Sequence, residues 1–181
     1  MGWDGPTGAT RKGIIADVRA SLNWESGARK IELLKSCVRG NVVWCLVRDT
    51  AGINHHDSIV AVIIENRDGW MKKAVSEECG PTALGCPQGY VDAASPAGSQ
   101  TALEWRARNQ AYNLDKKEKS RLQAGQKFRL ARGYTWAGQT TPVMEISRRD
   151  GRKLYATYNG GCEVRITPKH IGELLPFAEG V

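Results

Sequence analysis

The chain has 181 residues and a formal net charge of +7, from 26 Lys and Arg against 19 Asp and Glu. Its 41 % hydrophobic content is enough for a packed core and excludes general disorder. No stretch approaches the roughly 18 consecutive apolar residues that a spanning helix needs, and the opening MGWDGPTGATRKG has no export-type apolar run. These features predict a cytoplasmic protein with no membrane partner. Gly2 alone is no myristoylation signal, because Pro6 stands where Ser or Thr is required.

In TRKGIIADVRASL, Ile14, Ile15, Val18 and Leu22 line one face of an amphipathic helix, with Thr10 at its N-cap. RKIELLKSCVRGNVVWCLVRDT reads as two strands joined by a turn at Arg39-Gly40-Asn41. AGINHHD reads as the loop of a second hairpin, leading into SIVAVIIENRDGW. That strand is nearly all apolar, which predicts a central position covered on both faces. The three strands should be sequential and antiparallel. The Gly and Pro density between Gly80 and Pro87 rules out regular structure there, and PQGYVDAAS can form a short helix with Pro87 in its first turn. Leu103, Ala107, Ala111 and Leu114 then fall at i, i+4, i+8 and i+11, a helical stripe. From Gln126 the pattern turns to short alternating stretches, with Asp150-Gly151 and Asn159-Gly160 as hairpin turn signals.

The expected fold class is therefore α+β: an antiparallel sheet with helices over residues 1–98, a linking helix over 99–125, and a small SH3-like β-barrel module over 126–181.

The candidate chemistry is sparse. Cys37, Cys45, Cys79, Cys86 and Cys162 are odd in number and carry no export context, so free thiols are expected. Cys79 and Cys86 are seven apart, which does not fit a zinc pair, and the adjacent His55 and His56 diverge on an extended chain. No phosphate-binding glycine motif is present. Neither a cofactor, a metal nor a catalytic residue is expected. The alternative is a small enzyme built on Glu77, Glu78, Cys79 and Cys86, but no base stands at a useful spacing from either thiol.

The charge layout is more informative. Residues 1–98 hold 11 basic and 11 acidic residues, whereas residues 99–181 hold 15 and 8. The whole excess lies in the C-terminal part, the electrostatic footprint of a polyanion-facing surface. KFRLARGYTW and SRRDGRK place Lys127, Arg129, Arg132, Arg148, Arg149, Arg152 and Lys153 among Tyr134, Trp136, Tyr155 and Tyr158. Arginines contact phosphates and aromatics stack on bases. The expected binding residues are those seven cations and Trp136. The expected partner is DNA, RNA or a nucleoprotein complex such as a defence nuclease.

Met1-Gly2-Trp3, Gly80-Pro81, Cys86-Pro87 and Glu104-Trp105-Arg106, in this order, give the chain a further likeness. It resembles an uncharacterised family of small proteins encoded by phages, plasmids and their hosts. Members carry an acidic block before the Gly-Pro. Here Glu78 fits that block, while its aspartates are missing. The resemblance implies a mobile-element setting and supplies no enzyme activity. Together these features predict a non-enzymatic binding protein that inhibits a defence nuclease of CRISPR or restriction type, with a plain protein–protein adaptor as a further alternative.

Overall fold

Thr10 begins the first helix as its sequence position requires. Its hydroxyl accepts from the Gly13 amide at 3.1 Å, which satisfies one of the orphan N–H groups of helix α1 (Arg11–Ser21). In this computed structural model the described residues are 3–4, 10–151 and 153–176. Met1, Gly2 and Arg152 lie outside them. The chain divides into two compact units, Met1–Asn113 and Leu114–Val181. The class is mixed α+β with antiparallel sheets.

The first unit is built on five sequential antiparallel strands, β1 (Trp24–Ser26), β2 (Arg29–Arg39), β3 (Val42–Ala51), β4 (Asn54–Asn66) and β5 (Trp70–Ser76). Gly40-Asn41 and Gly52-Ile53 form two-residue turns, and both glycines sit at positive φ where a side chain would strain the backbone. The second turn is shorter than AGINHHD implied. His55 and His56 belong to β4, paired with Thr50 and Asp49.

Alternation sends β3 and β4 side chains to two cores. On one face Val43, Cys45, Val47, Val62 and Ile64 pack with Ile14 and Val18 of α1. On the other, Val42, Trp44, Leu46, Ile59 and Ala61 pack with Cys86 and Trp105. Both central strands are thus covered on two sides, as the continuous apolar run of β4 predicted for that strand.

After β5 come a 3₁₀ turn (Glu77–Cys79), the short helix α2 (Gln88–Val91) and the long helix α3 (Gln100–Lys119). The sequence stripe on α3 lies on the wrong side for a core. Leu103, Ala107, Ala111 and Leu114 are exposed, while the buried residues are Ala102, Trp105 and Asn109. The division between units falls inside α3, at Asn113 and Leu114.

The second unit carries β6 (Lys127–Leu130), the small hairpin β7 (Thr135–Trp136) and β8 (Gln139–Thr140), then β9 (Val143–Asp150), β10 (Lys153–Thr157), β11 (Val164–Ile166), a 3₁₀ turn (Pro168–His170) and β12 (Ile171–Leu174). Five of these strands form one antiparallel sheet in the order β11-β10-β9-β6-β12. Its inner residues, Phe128, Leu130, Met144, Ile146, Leu154, Ala156, Ile166 and Ile171, make a single core with Leu122. Among the described residues no helix is long and apolar enough to cross a membrane.

Candidate nucleic-acid interface

Alternation in the second sheet leaves its outer face mostly polar, with Val143 as an apolar exception. Two cross-strand rows run over it. One is Lys127, Glu145 and Thr157, from β6, β9 and β10. The other is Arg148, Tyr155 and Arg165, from β9, β10 and β11. The second row depends on a local irregularity. The β9–β10 register slips by one residue between Tyr155 and Ala156, so Ser147 and Arg148 both lie opposite Tyr155. Such a bulge re-aims side chains. Here it turns Arg148 outward onto the tyrosine while Ile146 stays in the core.

The guanidinium carbon of Arg148 lies 3.8 Å over the Tyr155 ring. Glu163 holds it from the side: one carboxylate oxygen accepts from Nε at 2.9 Å and lies 2.8 Å from Nη2. The other oxygen accepts from the Ser147 hydroxyl at 2.7 Å. These hydrogen bonds, Arg148 first and Ser147 second, hold the Glu163 carboxyl below its ordinary range. Arg165, the other neighbour of Tyr155, is exposed and makes no ion pair among the described residues.

The predicted cations separate into two groups. Lys127 lies 3.9 Å from Glu145, Arg129 lies 3.4 Å from Glu173, and Arg148 pairs with Glu163. Arg149, Arg132 and Lys153 have no carboxylate partner among the described residues; Arg149 donates only to the Gly151 carbonyl at 2.9 Å. Arg152 falls outside the described residues. Trp136, expected at the interface, packs half-buried against the core with Tyr134 and Tyr158. Of the four interleaved aromatics, Tyr155 is the one on the outer face. A shallow depression of about 320 Å³ lined by Lys127, Val143, Glu145, Asn159 and Gly160 adjoins the first row.

Sequence reasoning passed over Arg165 and Glu163. Arg165 was within reach, since it stands between the apolar Val164 and Ile166 of a strand and must face outward. Glu163 was not, because its partner is set by the bulge.

The segment around Glu77–Cys86 is occupied by structural work. Glu77 is fully buried; its carboxylate accepts from Arg106 Nε at 2.6 Å, Arg106 Nη2 at 2.9 Å and the Ile59 amide at 2.9 Å. Asn109, also fully buried, accepts from the Gly85 and Cys86 amides at 2.9 Å and donates to the Cys86 carbonyl at 3.2 Å. Trp105 Nε1 donates to the Ala83 carbonyl at 3.1 Å. Burial pushes the Cys86 thiol up to about 12, the opposite of what a nucleophile needs. Cys79 is exposed. Glu78 accepts from the Gly98 amide at 3.0 Å, and hydrogen bonds from Ser99 and Gly98 hold it below its usual range. Among the described residues no group of three or more His, Cys, Asp or Glu converges as a metal site would.

No protein-family model matches the chain, and neither a curated protein nor a solved structure is significantly similar to it.

Proposed function

We propose that this chain is a non-enzymatic binding protein of a mobile element, engaging nucleic acid through the outer face of its second sheet. In that setting it would act on a nucleic-acid-handling complex such as a defence nuclease. The observation that carries the reading is the Arg148-Tyr155-Arg165 row, a half-buried aromatic on the outer face between two exposed arginines, with Lys153 uncompensated on the same face and Arg149 uncompensated at the end of the hairpin. Cations contact phosphates without regard to sequence, and a flat π-system among them, here the Arg148 guanidinium laid over Tyr155, accepts any base. The charge layout supports the same reading, because residues 114–181 hold 13 Lys and Arg against 7 Asp and Glu.

We read the second unit as an SH3-like small barrel. The support is its strand order, in which the last strand β12 pairs with the first, β6, and a 3₁₀ turn leads into that last strand. Small barrels of this kind fill their interior with one layer of alternating side chains and leave the outer face for recognition.

The test is titration of labelled oligonucleotides with the full chain and with a triple variant, Arg149→Ser, Lys153→Ser and Arg165→Ser. All three residues are exposed, so the variant should keep its fold, each change costing within about 0.5 kcal/mol. Loss of at least tenfold in affinity is expected. A Lys127→Ser, Arg129→Ser variant should lose less, because those cations already face carboxylates. Equal affinity of the triple variant and the unaltered protein would overturn the reading.

A further inference from the structure

We infer that the site takes a single strand, with an unpaired base stacked on the outer face of the Arg148 guanidinium and an adjacent phosphate on Arg165; this rests on the nucleic-acid reading above. The argument is geometric. An arginine clamps a phosphate in fork fashion through the nitrogens along one edge of its plane. In Arg148 the Nε and Nη2 edge is already taken by Glu163. One face of the plane is taken by the Tyr155 ring at 3.8 Å. Yet half of the side chain remains exposed. The Nη1–Nη2 edge keeps donors for a phosphate; what the two partners leave for a base is the second face of the flat, delocalised cation, which recognises another flat π-system.

The carboxylate also acts as a brace. An exposed arginine on its own samples many rotamers, and ordering it on binding costs free energy. Glu163 and Tyr155 hold Arg148 in one orientation before any ligand arrives. The same pairing cancels its charge, so Arg148 contributes a surface rather than a long-range attraction. Arg165 supplies the attraction. It lies directly across from Tyr155 in the β10–β11 register, with nothing neutralising it among the described residues. Arg148 and Arg165 flank Tyr155 from the strands on either side, about 10 Å apart at roughly 4.8 Å per strand, and the Arg148 side chain closes part of that span by lying over the Tyr155 ring. Duplex DNA hides its base faces within the stack, so it cannot use the guanidinium plane.

The experiment compares three labelled ligands of equal length at one salt concentration: a single-stranded oligonucleotide, the same backbone with abasic sites, and a duplex. Full-chain protein is titrated with each, alongside Arg148→Lys and Arg165→Gln. Lysine keeps the charge and loses the plane. The single strand should bind about tenfold more tightly than the abasic strand, the order expected of one stacked base. Arg148→Lys should bring the base-bearing and abasic strands to equal affinity. Arg165→Gln should weaken both strands in the same proportion, which leaves the ratio intact. Equal binding of base-bearing and abasic strands, or an Arg148→Lys protein that keeps the full ratio, would overturn the stacking inference while the broader reading stands. Failure of all three ligands to bind would overturn both.

Discussion

Replacing Arg106 with methionine should destabilise the first unit more than any exposed substitution. The Glu77 carboxylate has no solvent exposure and accepts three hydrogen bonds, two of them from Arg106. With the guanidinium gone, a buried charge would keep only the Ile59 amide. Breaking a buried pair from one side costs about 3–5 kcal/mol. The Ser95 carbonyl, which now accepts from Arg106 Nη2 at 2.9 Å, would add about 1 kcal/mol. Against a typical total of about 5–15 kcal/mol, that is a large share. The double variant Glu77→Gln, Arg106→Met removes the charge as well and leaves the neutral amide oxygen to accept from Ile59. It should recover most of the loss, since replacing both partners of a buried pair is often close to neutral. Urea denaturation followed by tryptophan fluorescence supplies all four corners of the cycle, with Trp44 and Trp105 reporting from the core beside the pair. A loss below about 1 kcal/mol in Arg106→Met would refute the reasoning, because an expensive buried carboxylate cannot be left cheaply.

The thiols should fall into two classes under a maleimide or disulfide reagent at neutral pH. Cys79 and Cys162 should react quickly, whereas Cys45 and Cys86, both pushed up to about 12 by burial, should react only as the protein unfolds; fast labelling of Cys86 in folded protein would contradict the buried corner. His170 gives the second unit an acid sensitivity. Its Nδ1 accepts from the Thr167 amide at 3.0 Å, and burial lowers its pKa below the ordinary value near 6.5. The folded state therefore disfavours the proton, so this stability is present above about pH 6.5 and lost as pH falls through the folded value. A thermal transition of the second unit that is lower at pH 5 than at pH 7, with the difference reduced in His170→Asn, is the expected result. Gly80→Ala should also destabilise, because a Cβ there would meet Thr101 Cγ2 at 2.7 Å on a backbone at φ +62°; unchanged urea stability would argue against that close approach.

Much of the first unit was legible because its signals are local. Ile14 and Val18 repeat at helical spacing, and the strands around Gly40 alternate or run apolar as buried strands do. Helix α3 was misread because its most hydrophobic stripe, Leu103 to Leu114, is not its core face. The face that packs presents Trp105 and Asn109, with Arg106 and Asn113 partly buried beside them. Its polar groups are satisfied by Ala83, Glu77 and Cys86, partners more than 20 residues away. No helical periodicity encodes such bonds. The site was legible to a similar depth. The excess of cations was plain in composition, and Tyr155 stood among them. That Glu145, Glu163 and Glu173 each meet one of those cations follows from strand register, which a single sequence leaves open.

The salt dependence of binding tests the central claim most directly. Lys127, Arg129 and Arg148 already face carboxylates, so they should release few counterions on binding. Arg149, Lys153 and Arg165 should supply most of the release. Three contacts at about −0.7 each give a slope of log K against log salt of roughly −2 on a single strand. A single-stranded oligonucleotide titrated from 50 to 200 mM salt should show that slope, and the triple variant at Arg149, Lys153 and Arg165 should flatten it towards zero. A salt-independent affinity, or no binding at the lowest salt, would contradict the account.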